Sequence, residues 1–296
     1  MPCMEHRQSI EKIKTTVQAV VQKNTPANDI IAMANYGIIC CRRKQRIHRV
    51  PFLQPSLIMV LSGQKTVSNG DKIDSCAPGE FLGIPAPASF DMVNEPDEHI
   101  RQYLALCIPF ESGLVERFLQ LYPGIRLGGH KKSAISIKGY DTLYAAVLHF
   151  LQMADSPGQD RDVLEHRLLE ILLCLVKNSA ASHMLLSMSD QWRQRLISLL
   201  LTDPARAWRA QDVCRLLAVS ESTLRRNLRH ENASFQLVLD DVRLGHGLLQ
   251  VQMTRLPIGR IAVNCGYQSA SRFSARFRQR FHVTPSQLRK TLTESA

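Results

Sequence analysis

Two arginine-rich segments near the end of the sequence carry side chains suited to binding a polyanion. The first lies within residues 222–229 and the second within residues 271–280. Guanidinium groups donate paired hydrogen bonds to phosphate oxygens and to guanine edges, and serine hydroxyls can donate or accept further ones. These residue types indicate recognition of a nucleic acid, and the alternative is a solvated charged face on an ordinary helix bundle, which two such segments in similar settings disfavour.

The spacing of apolar residues places both segments on helices. Leu224 and Leu228 are four residues apart, as are Phe273 and Phe277, so each pair predicts one buried helical face with the arginines outside it. A shorter apolar helix and a turn precede each segment, at 213–220 and at 261–268. The pattern predicts two helix-turn-helix motifs, whose second helices would enter the major groove of DNA. The predicted DNA contacts are Ser220, Ser222, Thr223, Arg225, Arg226, Arg229, Ser269, Ser271, Arg272, Arg276 and Arg278.

The two predicted recognition helices differ at one outward position. Turning 100° per residue from the buried pairs gives Ser222, Arg226 and Arg229 in the first helix and Ser271, Ala275 and Arg278 in the second. An arginine can pair with guanine O6 and N7, whereas an alanine can only touch a thymine methyl. We therefore predict that the first motif sets sequence preference and the second mainly anchors the protein.

This region resembles the AraC/XylS-type bacterial transcription regulators. The residues that carry the resemblance are Ile261-Ala262, Gly266-Tyr267, Ser269, Ser271, Phe273, Arg276-Phe277-Arg278, Phe281, Thr284-Pro285 and Leu288-Arg289. The chain departs from the family pattern at Ala218 and His282, where glycine is usual, and at Leu288, where an aromatic residue is usual. The resemblance implies a DNA-binding transcription regulator, most often an activator.

The charge distribution agrees with a polyanionic partner for the C-terminal part. Residues 188–296 hold 17 Lys and Arg against 8 Asp and Glu, whereas residues 1–187 hold 20 against 18. The basic excess therefore belongs to the segment with the repeated motif, and double-stranded DNA is the predicted partner.

Signatures of other protein classes are not found in the sequence. There is no GxGxxG or GxxxxGK motif, C-x-x-C pair or Ser/His/Asp arrangement, so we predict no enzyme, metal or cofactor. No apolar run approaches the ~18 residues of a membrane span, and residues 1–9 lack a signal peptide's apolar core. We predict a cytoplasmic protein.

Residues from about 26 to 110 alternate short apolar runs with turn signals, which predicts a small β-sandwich or barrel. The predicted strands are Ile30–Cys41, Ser56–Val67, Phe81–Ile84, Ser89–Val93 and Gln102–Ile108, with a hairpin turn at 69–71. This part also resembles the cupin-like barrel of AraC-type regulators, which in many members holds a small effector. The two histidines in it, His48 and His99, do not form a metal-binding pattern.

Helical periodicity returns over residues 111–177. The last predicted helix, Arg161–Lys177, is apolar around most of its circumference, so it must contact neighbours on more than one side. One interpretation is burial against the barrel and its own helices. The other, implied by the resemblance, is a dimer interface formed by Leu164, Leu168, Ile171, Leu172 and Leu175.

Together these patterns predict an α+β protein with two domains. Residues 1–177 would form an effector-binding and dimerisation domain with a cupin-like β-barrel and helices, and residues 178–189 a linker. Residues 190–296 would form an all-α DNA-binding domain whose two motifs are joined by a connecting helix at 235–253.

We predict a homodimeric regulator that responds to a small-molecule effector and, if it is an activator, contacts RNA polymerase. The alternative is an effector-independent regulator whose N-terminal domain only dimerises or binds a protein. The effector-binding residues, target genes and sign of regulation are not predicted.

Overall fold

The computed structural model describes residues 4–23, 36–70, 72–125, 133–156, 158, 160–177, 182, 184–185 and 192–293. Its strands are β1 (Gly37–Cys41), β2 (Gln45–Phe52), β3 (Ser56–Ser62), β4 (Gln64–Asn69), β5 (Lys72–Cys76), β6 (Phe81–Ile84), β7 (Ala88–Glu95), β8 (Tyr103–Pro109) and β9 (Ile135–Ile137). They form two antiparallel sheets, of order β1-β8-β3-β6-β9 and β2-β7-β4-β5. The predicted β-rich N-terminal domain is thereby confirmed.

The five-stranded sheet is buried on both faces. Ile58 and Val60 of β3 point into the interior between the two sheets, and Leu57 and Met59 point to the helices on the other side. All seven residues of β3 are buried for this reason, and its sequence is a continuous apolar run rather than an alternating one. The predicted strand Ser56–Val67 is in fact two strands, because Gly63 turns the chain with a φ of 75°.

Four helices accompany the sheets: α1 (Met4–Lys23), α2 (Ser112–Leu121), α3 (Asp141–Ala154) and α4 (Arg161–Lys177). The bounds of α4 equal the predicted ones. Its apolar residues join a core with α1, α3 and the five-stranded sheet. The five residues assigned to a dimer face, Leu164, Leu168, Ile171, Leu172 and Leu175, are each at most 7% exposed in this core. That assignment is corrected, because these side chains fill the interior of their own protomer.

The C-terminal helices are α5 (Trp192–Leu201), α6 (Ala210–Leu216), α7 (Glu221–His230), α8 (Phe235–Met253), α9 (Ile258–Asn264), α10 (Ala270–Phe281) and α11 (Pro285–Arg289). The connecting helix α8 has the predicted bounds. Ser234 caps its first turn by accepting a hydrogen bond from the Leu237 N–H at 3.2 Å. Its 19 residues span about 28 Å.

Helix α8 also packs against the N-terminal strands. A side chain at Gly245 would meet Pro51 of β2, because an added Cβ would lie 3.2 Å from the ring Cγ. A Cβ added to Gly37 in β1 would similarly lie 3.2 Å from the Met253 sulfur. The residues of the predicted linker that the structure describes, Ser182, Met184 and Leu185, are buried as well. The barrel and the C-terminal helices therefore share an apolar interface. The described helices include none of the length and apolarity that a membrane span requires.

The second glycine of α8 has a different neighbour. A Cβ on Gly247 would lie 2.7 and 2.9 Å from two ring carbons of Phe273 in α10. Both glycines of α8 therefore admit close neighbours that a larger residue would displace.

We expect Gly247→Ala to lower the free energy of unfolding by about 1 to 3 kcal/mol, because Phe273 must move within a packed core. The matched control is Gly259→Ala in α9, where an added Cβ meets nothing within 4 Å. That change should be neutral or stabilise the protein by up to about 1 kcal/mol through helix propensity. Urea unfolding of the two variants checks this expectation. Equal effects of the two substitutions would contradict it.

Candidate nucleic-acid interface

Each predicted recognition helix begins at a serine that caps it. The Ser220 Oγ accepts a hydrogen bond from the Thr223 N–H at 3.2 Å, and the Ser269 Oγ accepts one from the Arg272 N–H at 3.2 Å. These hydroxyls satisfy backbone donors that helix geometry leaves free. Ser220 and Ser269, both predicted DNA contacts, thus have a structural role, and contact with DNA remains a prediction for them.

The two turns adopt the same backbone conformation with different residues. Ala218 has a φ of 54° in the first motif, and Gly266 has a φ of 74° in the second. A left-handed conformation costs an alanine about 1 kcal/mol that glycine avoids. The first motif therefore carries backbone strain where AraC/XylS-type regulators usually have glycine.

The inward faces of the recognition helices are buried as predicted. Leu224 and Leu228 join the core formed by α5, α6 and α8, and Phe273 and Phe277 are completely buried. In the second motif the two phenylalanines continue an edge-to-face series that includes Tyr267 and Phe281, with ring centroids 4.6 to 5.5 Å apart. Burial on this side fixes which side of each helix is free.

The opposite side of α7 is open and basic. Ser222, Arg225, Arg226 and Arg229 are exposed there, and Thr223 is half-buried. The same side of α10 exposes Ser271, Arg272, Ala275 and Arg278. Among the described residues, none of the five arginines on these two faces forms an ion pair with a carboxylate. They are therefore available to an external anion.

Arg276 is engaged within the protein. Its Nη2 donates to the Asp240 carboxylate of α8, and its Nη1 donates to the Gln279 Oε1 at 3.0 Å. It remains 43% exposed at the side chain. A phosphate would have to compete with Asp240 for this group, so Arg276 is less available to DNA than the sequence indicated.

A buried ion cluster that the sequence patterns do not predict lies behind the recognition helices. Asp241 of α8 accepts a hydrogen bond from Arg280 Nη2 at 2.6 Å and one from Arg193 Nη2 at 3.1 Å. The Asp241 side chain is 4% exposed. Burial raises the pKa of Asp241 although both arginines oppose that change, and burial lowers the pKa of Arg280. A signal in the sequence is the carboxylate pair 240–241, the two acidic residues of a mostly apolar helix.

The C-terminal end of α10 rests on the barrel. Arg280 Nε donates to the Arg49 carbonyl at 3.0 Å, and its Nη2 also reaches Ser89 Oγ at 3.3 Å. The His282 ring lies 4.6 Å from the His48 ring, centroid to centroid. His282 has a φ of 58°, a left-handed conformation that glycine adopts more easily. The second recognition helix is therefore held at one end by the barrel, while its first turns stay exposed.

The helix-turn-helix domain family matches residues 213–291. The urease operon transcriptional activator of Escherichia coli is 35% identical over 101 residues, which are 34% of this chain and 34% of that protein. The transcriptional regulator YdeO of Escherichia coli K12 is 36% identical over 89 residues, which are 29% of this chain and 34% of that protein. The match thus spans about a third of the length of these relatives. The resemblance of the C-terminal region to AraC/XylS-type regulators is confirmed.

A likeness in fold extends over most of the chain. The unsaturated fatty acid bound wild-type ToxT from Vibrio cholerae superimposes with a TM-score of 0.63, over 88% of this chain and 97% of that chain, at 15% identity. At that identity the comparison shows a shared architecture. The predicted arrangement, a β-rich N-terminal domain followed by a helical domain with two motifs, is confirmed.

Proposed function

We propose that this protein is a sequence-specific regulator of transcription that binds double-stranded DNA in the cytoplasm. One observation carries the proposal: two capped helices, each held by a tight turn and a buried face, present arginines that no described carboxylate neutralises. Helices with this support and this charge fit the major groove.

The relatives that share the C-terminal domain support the proposal. One is named a transcriptional activator and another a transcriptional regulator. The similarity covers the DNA-binding part of those proteins, so their target genes do not carry over to this chain. We propose activation as the sign of regulation, by analogy with the urease operon activator.

We further propose that a small molecule bound by the N-terminal domain controls DNA binding. The ToxT structure of similar fold holds an unsaturated fatty acid. The connecting helix α8 contacts strands β1 and β2. A molecule that displaces these strands on binding would therefore also displace α8. The alternative remains an effector-independent regulator, whose N-terminal domain serves only association with a second copy or with another protein.

RNA polymerase is the proposed protein partner of an activator, and a homodimer is the proposed assembly. The buried residues of α4 do not support the dimer. A second copy would have to use another surface.

Salt-dependent DNA binding tests the proposal. The intact protein should bind a mixed-sequence duplex of ~40 base pairs, with a slope of about −3 to −4 for log K against log salt concentration if the four exposed arginines other than Arg226 meet phosphates. Arg229→Ala should reduce the steepness by about 1. Arg7→Ala, an exposed arginine of α1 on the N-terminal side, is the matched control and should leave the slope unchanged. Fluorescence anisotropy gives each value. Absence of binding at low salt, or equal slopes for all three proteins, would overturn the proposal.

A further inference from the structure

The interior of the barrel contains a lysine that is completely buried. Lys65 of β4 is 0% exposed, and so is Tyr103 of β8. The Lys65 Nζ lies 5.8 Å from the centre of the Tyr103 ring. Its described hydrogen bond goes to the Asn94 Oδ1 at 2.7 Å. The Tyr103 hydroxyl is buried without a hydrogen-bond partner among the described residues. Two polar donors therefore lie close together in an apolar interior.

Among the residues that the structure describes, the groups around Lys65 do not balance its charge. Asn94 is a neutral amide and Tyr103 a neutral phenol, and the thiols that act on the Lys65 pKa are Cys41, Cys76 and Cys107. Burial raises the pKa of Cys41 and of Cys76 to about 12 and that of Cys107 to about 11, so all three thiols are neutral at pH 7. Burial lowers the pKa of Lys65 to about 8, which still leaves most of the ammonium protonated at that pH. Buried charges in proteins are normally paired, so this one calls for a partner.

The same lysine is linked to the DNA-binding domain by a chain of buried amides. The Asn94 Nδ2 donates to the Gln45 Oε1 at 2.9 Å, and the Gln252 Nε2 of α8 donates to the same oxygen at 3.1 Å. The Gln45 Nε2 donates in turn to the Thr291 Oγ1, beyond α11, at 2.7 Å. A displacement of Lys65 or Asn94 therefore reaches residues at both ends of the second motif.

We propose that Lys65 and Tyr103 bind the carboxylate of a small monocarboxylic acid whose apolar tail lies among the interior side chains of the barrel. The inference rests on the proposed function, because it identifies the chemical class of the effector. One ammonium matches one negative charge, and the phenolic hydroxyl supplies a second donor for the second carboxylate oxygen. The surrounding interior residues, such as Val60, Val67 and Phe90, are apolar and suit a hydrocarbon tail. The acid draws Lys65 from Asn94, and the amide chain carries that change to Gln252.

Ligand-induced stabilisation of the intact protein tests the site without DNA. The probes are butyrate, benzoate, octanoate and oleate, each paired with the corresponding alcohol, together with inorganic phosphate. At least one acid should raise the Tm of the wild-type protein, and neither its alcohol nor phosphate should do so. Affinity for that acid, measured by titration calorimetry, should fall about 100-fold in Lys65→Met and about 10-fold in Tyr103→Phe. Lys138→Met, at an exposed lysine beyond β9, should bind as the wild type does.

Both site variants should fold, because one removes a buried charge and the other a buried hydroxyl without a partner. If Lys65 and Tyr103 were only structural, Tyr103→Phe would bind the acid as the wild type does. That result overturns the proposal. The proposal is also wrong if no acid raises the Tm of the wild type more than it raises the Tm of Lys65→Met. The Gln252→Met variant should still bind the acid, but the acid should no longer change the affinity of this variant for DNA. Acid binding and DNA binding are measured in separate experiments. Failure of the proposed acid site can therefore be distinguished from failure of the proposed DNA-binding function.

Discussion

Replacing Asp241 with alanine is expected to lower the free energy of unfolding by about 3 to 5 kcal/mol, because it breaks a buried ion cluster. The carboxylate is 4% exposed and holds two arginine side chains, Arg280 at 2.6 Å and Arg193 at 3.1 Å. Removing it leaves both guanidinium groups in a poorly solvated place without their counter-ion. The raised pKa of Asp241 reflects the free energy needed to desolvate its carboxylate. Removing one member of such a buried cluster lowers the free energy of unfolding by more than the intact cluster adds to it.

The neighbouring carboxylate provides a matched control. Asp240 pairs with Arg276, whose side chain is 43% exposed, so water can replace this partner. Asp240→Ala should therefore cost about 1 kcal/mol or less. Guanidinium unfolding of the wild type and the two variants separates the effects. Equal losses for Asp240→Ala and Asp241→Ala would contradict the buried cluster.

The Asp241 cluster also bears on how the two domains are held together. Arg280 contacts the Arg49 carbonyl of the barrel in addition to Asp241. Without the carboxylate, Arg280 loses the partner that fixes its orientation. We therefore expect the C-terminal end of α10 to exchange its amide hydrogens faster in Asp241→Ala than in Asp240→Ala.

The helical part of the molecule was predictable because its signals are local. Apolar residues three and four apart, serine caps and turn residues all lie within one or two turns of the helix they define. The connecting helix and α4 accordingly have the predicted bounds. Periodicity reports that a face is buried and not what buries it. The apolar face of α4 was open to two interpretations for that reason, and packing within the protomer decides between them.

The strands were harder to predict. Strand β2 was missed, because its sequence, QRIHRVPF, mixes charged residues with apolar ones and its pairing with β7 shifts register between Ile47 and Val50. Strand β5 was missed because its exposed residues give a weak alternation. The predicted turn between β4 and β5 is confirmed by the pairing of Asn69 with Lys72. Residues 30–35 of the first predicted strand lie outside the described part of the chain.

Contacts between distant segments could not be read from the sequence. Gln45 and Gln252 are 207 residues apart, and Arg49 and Arg280 are 231 apart. Each of these residues is unremarkable in its own segment, and only the fold brings the partners together. The exposed arginines of α7 and α10 were identified because exposure there follows from local periodicity, whereas the partner of Arg276 was not.

Arg226→Ala is expected to reduce discrimination between the preferred DNA site and a scrambled duplex by about 10- to 100-fold. Arg226 is exposed on the outer side of α7 and has no described ion pair to give up. The equivalent position in α10 is Ala275, which cannot replace its hydrogen bonds to guanine. Affinity for the scrambled duplex should change little, because the phosphate contacts that we predict for Arg229 and Arg278 would remain. The ratio of the two Kd values measures the effect, and Ser271→Ala in α10 is the matched control with a smaller expected loss.

Selection of bound sequences from randomised DNA by the intact protein tests the central claim most directly. The wild type should enrich two half-sites whose centres lie about one helical turn apart, ~10 base pairs, with a strong preference that includes guanine in one half and a weak preference in the other. Arg226→Ala should lose the strong half and retain the weak one. If the wild type enriches no sequence, or if Arg226→Ala keeps the guanine of the strong half while Ser271→Ala loses it, the account of the two recognition helices is wrong.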